Sequence, residues 1–243
     1  MAKATFRIWR GDAKGGELRD YVTEAGEGMV VLDAVHAIQA DQANDMAVRW
    51  NCKAGKCGSC SAEINGMPKL MCMTRLDTID TTKAVTIEPM RAFPPVKDLI
   101  SDVSWNFDVK KRIKKFNPRP PDAEDGTWRM QQEDIDRVQE FRKCIECFLC
   151  QDVCHVLRDH VKHDEFIGPR FLVYTAALDA SARHRKPHRG AKGRIRHRLL
   201  QHHKMLHKGL SREHNDHRQR HHSAKGARRR RALRPADAAG QVV

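Results

Sequence analysis

What this sequence lacks narrows it first. No run of about 18 apolar residues occurs in its 243 residues, which leaves no candidate for a transmembrane helix. The opening Met1-Ala2-Lys3-Ala4-Thr5 has no apolar h-region, so a secretory signal is not expected and the chain reads as cytoplasmic. Aromatic residues make up only 6 %, and none lies beyond Tyr174. Cysteine stops earlier still, at Cys154. Where thiols are kept reduced, eight cysteines are metal ligands before they are disulfides.

Acidic residues are scarce too, but at one end only. Residues 180–243 hold 19 Lys/Arg against three acids, Glu213, Asp216 and Asp237. The remainder holds 26 Lys/Arg and 28 acids, close to balance. A net charge of +14 would ordinarily point to nucleic acid or an anionic membrane. Here the basic character belongs wholly to the tail, and no nucleic-acid partner is expected of the rest.

The first hundred residues carry strand and helix signals in a definite order. Phe6, Ile8 and Trp9 lie in an alternating strand, Gly11-Asp12 reads as a turn, and Leu18 to Thr23 as the returning strand. Val31, Leu32, Val35 and Ile38 have helical spacing. After a cysteine loop, Asn65-Gly66 is a strong hairpin turn with Leu70 on its return strand, and Ala84–Glu88 closes the set. Strand, strand, helix, cysteine loop, hairpin, strand is the order of a β-grasp ferredoxin. Pro94-Pro95 and Asn117–Pro121 read as linkers. From Gln131 the pattern is helical, with Ile135, Val138 and Phe141 on one face, and Gly168-Pro169 opens a short helix over Arg170 to Leu178.

Two cysteine runs carry the chemistry. Cys52, Cys57, Cys60 and Cys72 are spaced C-x4-C-x2-C-x11-C, the plant-type arrangement for a 2Fe–2S cluster. Gly55 and Gly58 let that loop turn tightly and aim amide N–H groups at the sulfurs, which raises the reduction potential. Structural zinc usually takes two C-x2-C knuckles, and this run has one. Cys144, Cys147, Cys150 and Cys154 are spaced C-x2-C-x2-C-x3-C, the bacterial-ferredoxin run whose fourth cysteine serves a different cluster from the first three.

A plant-type ferredoxin segment followed by a bacterial-type one resembles the iron–sulfur subunit of succinate dehydrogenase and fumarate reductase. The matching stretches are Arg49–Cys60, Pro68–Thr74, Phe93–Phe107, Arg142–Cys154 and Phe166–Leu172. The resemblance implies an α+β chain, with a β-grasp domain over 1–105 and an all-helical bacterial-ferredoxin-like domain, truncated, over 106–179; the basic tail over 180–243 falls outside it. It implies 4Fe–4S on Cys144, Cys147 and Cys150, and 3Fe–4S on Cys154. Single electrons would pass from an FAD-containing flavoprotein partner through 2Fe–2S, 4Fe–4S and 3Fe–4S to a quinone. The complex would be peripheral on the cytoplasmic face of the membrane, held by anchor subunits, with no substrate site on this chain. Two departures stand out: His155 replaces the usual proline after the fourth cysteine, and Val156 to His163 lacks a tryptophan. His155 and His160 are candidates for the quinone side, although a lone histidine is more often a satisfied surface or core residue. Rival readings are the iron–sulfur subunit of another flavoprotein oxidoreductase, or a zinc protein using the basic tail on nucleic acid.

The third cysteine motif of that family is missing, and the tail explains why. Residues 180–243 contain no cysteine, no aromatic residue and 10 of the 14 histidines. Reading codons one base later turns Met205, followed by Leu206, into an obligatory cysteine. Permitted codons over His197 to Glu213 then spell IGYCNITKCCTKVCPE, which resembles the absent motif. The tail therefore reads as a one-base frame change near Asp179.

Overall fold

The computed structural model describes residues 2–181. The stretch from 182 onward, and with it the frame-change reading, lies outside the described residues.

The period-two pattern at the start becomes β1 (Ala2–Asp12), with Ala4, Phe6, Ile8 and Arg10 buried on one face. β2 (Gly15–Ala25) runs back along its whole length, Ala2 opposite Ala25 and Asp12 opposite Gly15. The turn thus falls at Ala13-Lys14, two residues later than expected. Gly11 and Gly16 are paired inside the ladder instead, where a Cβ on Gly11 would stand 2.4 Å from the Gly15 carbonyl oxygen. The glycines here permit close backbone approach beside the Trp9 ring rather than a reversal.

α1 (Val31–Asp41) lays Val31, Leu32, Ala34, Val35 and Ile38 into the main core with Phe6 and Ile8. Asp33 in its first turn accepts the Val30 N–H at 3.1 Å, satisfying a donor that the helix leaves open. β3 (Ser61–Ile64) and β4 (Met67–Leu70) form the expected hairpin, with Asn65 and Gly66 both left-handed as a type I′ turn requires. β5 (Val85–Glu88) pairs antiparallel with β3 and parallel with β1, Phe6 opposite Val85 and Ile8 opposite Ile87. β6 (Pro95–Lys97) and β7 (Ile100–Ser101) complete the sheet, ordered β4-β3-β5-β1-β6-β7 with β2 on β1. A parallel β1/β5 pair joined through a helix on the core face is a β-grasp arrangement. Pro94-Pro95 is not a plain linker, because Pro95 opens a short strand, a position where its missing N–H breaks no ladder bond.

Beyond β7 the described chain carries helices separated by irregular segments: α2 (Ser104–Arg112), α3 (Gln132–Arg142), α4 (Leu149–Asp152), α5 (His155–Arg158) and α6 (Pro169–Ala180). α2 straddles residue 105, and α3 packs on α6. Sheet and helices meet across a second apolar group, where Met90, Ala92 and Phe93 touch Phe148 and Leu157. Beside it Glu63, fully buried on β3, takes Arg158 at 2.9 Å and Arg91 at 3.2 Å. Asp152 accepts the Ala92 N–H at 2.9 Å. Burial pushes the Glu63 and Asp152 carboxyls up, while both arginines pull the other way. Among the described residues no helix is long and apolar enough to cross a membrane.

Candidate functional site

The first cysteine run hangs between α1 and β3. Its backbone turns through left-handed positions at Lys53, Gly55 and Gly58. Those turns aim amides at sulfur: the N–H groups of Ala54 and Lys56 point to Cys52 Sγ at 3.4 and 3.2 Å. Cys60 and Cys72 are brought together by the extension of the β3/β4 hairpin, where the Met71 N–H donates to the Cys60 carbonyl at 3.0 Å. Both are buried, whereas Cys52 and Cys57 are half-buried. The Ser59 hydroxyl, followed by backbone hydrogen bonds, draws the Cys57 thiol down to about 6. Burial pushes Cys60 up to about 11, and the neighbouring Cys72 and Cys57 add to the shift. Cys57 and Cys60 are thus each shifted in part by neighbouring residues of the same run.

The second run is built differently. Glu146 and Phe148 take left-handed backbone positions, reversing the chain on either side of Cys147. Burial pushes the Cys150 thiol up, and Cys147 and Cys144 push it further, while Arg170 opposes them. Glu146, between the first two cysteines, receives Lys110 Nζ at 2.7 Å and Arg170 Nη2 at 2.5 Å. Burial works against its charge, yet these two cations hold the Glu146 carboxyl below its ordinary range. Cys154 caps α5 and packs on the Met90–Phe93–Phe148 group. The structure sets His155 and His160 side by side, ring centroids 6.1 Å apart.

Spacing alone did not reveal that the two runs touch. A Cβ on Gly58 would stand 2.6 Å from Cys147 Cα, so the backbones are in contact there. The Ser61 hydroxyl lies 2.9 Å from the carbonyls of both Gly58 and Cys147 and shares its one proton between them. A cavity of about 260 Å³ opens at this seam, lined by Arg49, Cys57 and Ser59 on one side and Cys147 and Phe148 on the other. Ser61, Glu146 and Arg170 are the residues that sequence reasoning passed over. Each adjoins or sits within a stretch already singled out, but its partner is far away in the chain. Among the described residues no three His, Cys, Asp or Glu side chains close round a single metal ion.

Residues 5–108 match the family model for the 2Fe-2S iron-sulfur cluster binding domain. The chain is 54 % identical to a chain in the structure of the Mycobacterium smegmatis Sdh1 complex in the apo form. That match has a TM-score of 0.73 and covers 79 % of this chain and 80 % of that one. The chain belongs to the family of succinate dehydrogenase and fumarate reductase iron–sulfur subunits. Among curated relatives, the fumarate reductase iron-sulfur subunit of Mycobacterium tuberculosis is 36 % identical over 141 residues, covering 57 % of this chain and 56 % of that protein. The protein of the same name from Escherichia coli O6:H1 is 31 % identical over 156 residues, covering 63 % of this chain and 61 % of that protein. This chain thus spans little more than half the length of the curated relatives it matches.

Proposed function

We propose that this chain relays single electrons between an FAD-containing subunit acting on succinate or fumarate and a membrane quinone, with no substrate site of its own. The observation that carries this reading is the seam at Gly58, Ser61 and Cys147, which holds two sulfur-rich loops in backbone contact. A relay needs its stations close and fixed, and a shared hydroxyl between two carbonyls supplies that.

Cys52, Cys57, Cys60 and Cys72 would hold 2Fe–2S, and Cys144, Cys147 and Cys150 would hold 4Fe–4S. Cys154, turned into the apolar group at the start of α5, would serve 3Fe–4S. When bound, these clusters accept and release one electron at a time. The donor set fits them. Amides of Ala54 and Lys56 already point at Cys52 sulfur, as they would toward a thiolate ligand. A cluster spreads its thiolates around several irons with sulfide between them, so it does not require side chains knotted round one ion. The chain's own work is to orient the thiols, neutralise their charge with amides, and exclude water through the burial of Cys60 and Cys72. The β-grasp part over 1–105 and the helical part over 106–179, read as a bacterial-ferredoxin-like domain, would carry one cysteine run each. Anchor subunits would hold the complex on the cytoplasmic face of the membrane, near the quinone.

Eight thiolates fall short of three clusters: the cubane lacks one ligand and the three-iron cluster two. The shifted frame of the tail restores cysteines in number.

The test is EPR on complex purified anaerobically from the native host, comparing wild type with Cys57→Ser. The two-iron signal should vanish and the cubane signal remain. Survival of both signals would overturn the ligand assignment, and a colourless, zinc-containing protein would overturn the relay. The intact mass of the same preparation should match the shifted frame rather than the printed tail.

A further inference from the structure

Arg170 has a position that the relay reading leaves unexplained. It follows Gly168-Pro169 in the first turn of α6 and is only 5 % exposed. A guanidinium is charged at every physiological pH, so its burial demands partners for charge and for N–H groups. The structure supplies several. Its Nη2 stands 2.5 Å from Glu146 Oε1, and its guanidinium lies over the Tyr174 ring at 5.3 Å. Its backbone N–H donates to Gln151 Oε1 at 3.2 Å, and Gln151 is itself fully buried against Asn106 and the Ile167 carbonyl. Backbone and side chain are therefore both locked.

Two features point from this locked side chain toward the second cysteine run. Arg170 Nε is buried and has no hydrogen-bond partner among the described residues. Buried polar groups are nearly always satisfied, so an orphaned N–H on a cation marks a place where an acceptor belongs. Geometry brackets the second run with Arg170: its Nη2 holds Glu146, between Cys144 and Cys147, and its backbone N–H donates to Gln151, next to Cys150, so the acceptors missing there are the sulfurs of that run. Charge counting agrees. Glu146 contributes one negative charge against Arg170 and Lys110, leaving one positive charge in excess behind the Cys144–Cys150 turn.

We propose that Arg170 is the positioning and tuning residue for the cluster on Cys144, Cys147 and Cys150. Its Nε–H is available to a sulfur of that cluster, and its charge raises that cluster's reduction potential above what it would be without the guanidinium. Glu146 holds the guanidinium in register, and Lys110 keeps Glu146 from cancelling its charge. A nearby cation stabilises the reduced, more negative form of the cluster, and a sulfur that accepts an N–H does the same. This rests on the cluster assignment proposed above.

The experiment is a potentiometric titration followed by EPR on the purified complex, with Arg170→Met and Arg170→Lys beside wild type. Arg170→Met should lower the cubane potential by about 59 mV or more, a tenfold change in a one-electron equilibrium, and leave 2Fe–2S unmoved. Arg170→Lys keeps the charge but not the Nε–H, and should fall between the two. A wild-type potential in Arg170→Met overturns the proposal while the relay stands, as does a wild-type potential in Arg170→Lys for the hydrogen bond. If Arg170→Met does not assemble, Arg170→Lys still decides, because a purely structural arginine would give an unshifted potential in whatever complex forms. Absence of any cubane signal in wild type overturns both the tuning and the assignment beneath it.

Discussion

The two cysteine runs are both loops around sulfur, yet they are held in opposite ways. The first is shaped by backbone. Left-handed residues at 53, 55 and 58 turn it, its amides point at Cys52, and the β3/β4 hairpin fixes Cys60 against Cys72. The second contains no strand of its own, although Ser61 of β3 reaches its Cys147 carbonyl. It is held by side-chain bonds to distant parts of the chain: Lys110 of α2 and Arg170 of α6 reach its Glu146, and its own Gln151 reaches Asn106 and the Ile167 carbonyl. A backbone frame is local and survives most side-chain changes. A frame of distant side chains depends on each of them, and it lets charge be placed beside the sulfurs.

The seam between the runs is where one substitution should do most damage. Gly58→Ala forces a left-handed alanine and drives its Cβ to 2.6 Å from Cys147 Cα, against backbone that cannot swing away. Destabilisation of roughly 3 kcal/mol or more is expected, with altered magnetic coupling between the two clusters in EPR. Gly55→Ala is the matched control. It has the same sign of φ, but its Cβ would meet the flexible Met73 side chain, with Sδ at 2.9 Å. Its loss should be nearer 1 kcal/mol, from the left-handed backbone alone. Equal melting temperatures for the two variants would show that the seam does not bear on stability.

How much of this was legible beforehand follows from the same contrast. Phe6 and Ile8 alternate, Asn65-Gly66 names its own turn, and Val31 to Ile38 repeat at helical spacing, so the β-grasp order could be read locally. β6 and β7 could not, since three and two residues are too short for any period to show. α2 was hidden by its own pattern: Trp105, Phe107 and Val109 alternate as in a strand, while the structure buries Asn106 and Val109 on a helix. The thiol positions were legible because cluster chemistry dictates their spacing. The groups around them were not, because Ser61 reaches Cys147 across 86 residues and Lys110 reaches Glu146 across 36. No local period encodes such pairs.

If the second run depends on distant side chains, Gln151→Leu should damage it selectively. Leucine matches the volume but withdraws partners from Asn106, the Ile167 carbonyl and the Arg170 N–H, all in a buried setting. Each group left unmatched costs about 1 kcal/mol or more, so a total of about 2–3 kcal/mol is expected. Hydrogen exchange should speed up at the Arg170 amide and not at Ala54 or Lys56 in the first loop. Uniform acceleration across both loops would contradict their independent support.

The smallest effect separates the two cations on Glu146. Lys110 and Glu146 side chains are 37 % and 32 % exposed, so water and ions screen their attraction, whereas the Arg170 side chain is 6 % exposed. A partly exposed pair of this kind contributes about 0.5 kcal/mol, and less as salt rises. Lys110→Met should therefore lower the melting point only slightly in dilute buffer, and the difference from wild type should fade in high salt. Removing Lys110 also leaves Glu146 to balance Arg170 alone, cancelling the excess positive charge behind Cys144–Cys150. The cubane potential should then fall in the same direction as in Arg170→Met, but by less, because the exposed ammonium acts through solvent. A loss of stability in Lys110→Met that persists unchanged in high salt would mean that Lys110 acts through packing on Tyr174, whose ring centroid is 5.4 Å from its Nζ, rather than through charge. The second run would then owe its hold to aromatic contact as well as to ion pairs, and the contrast with the backbone-framed first run would widen.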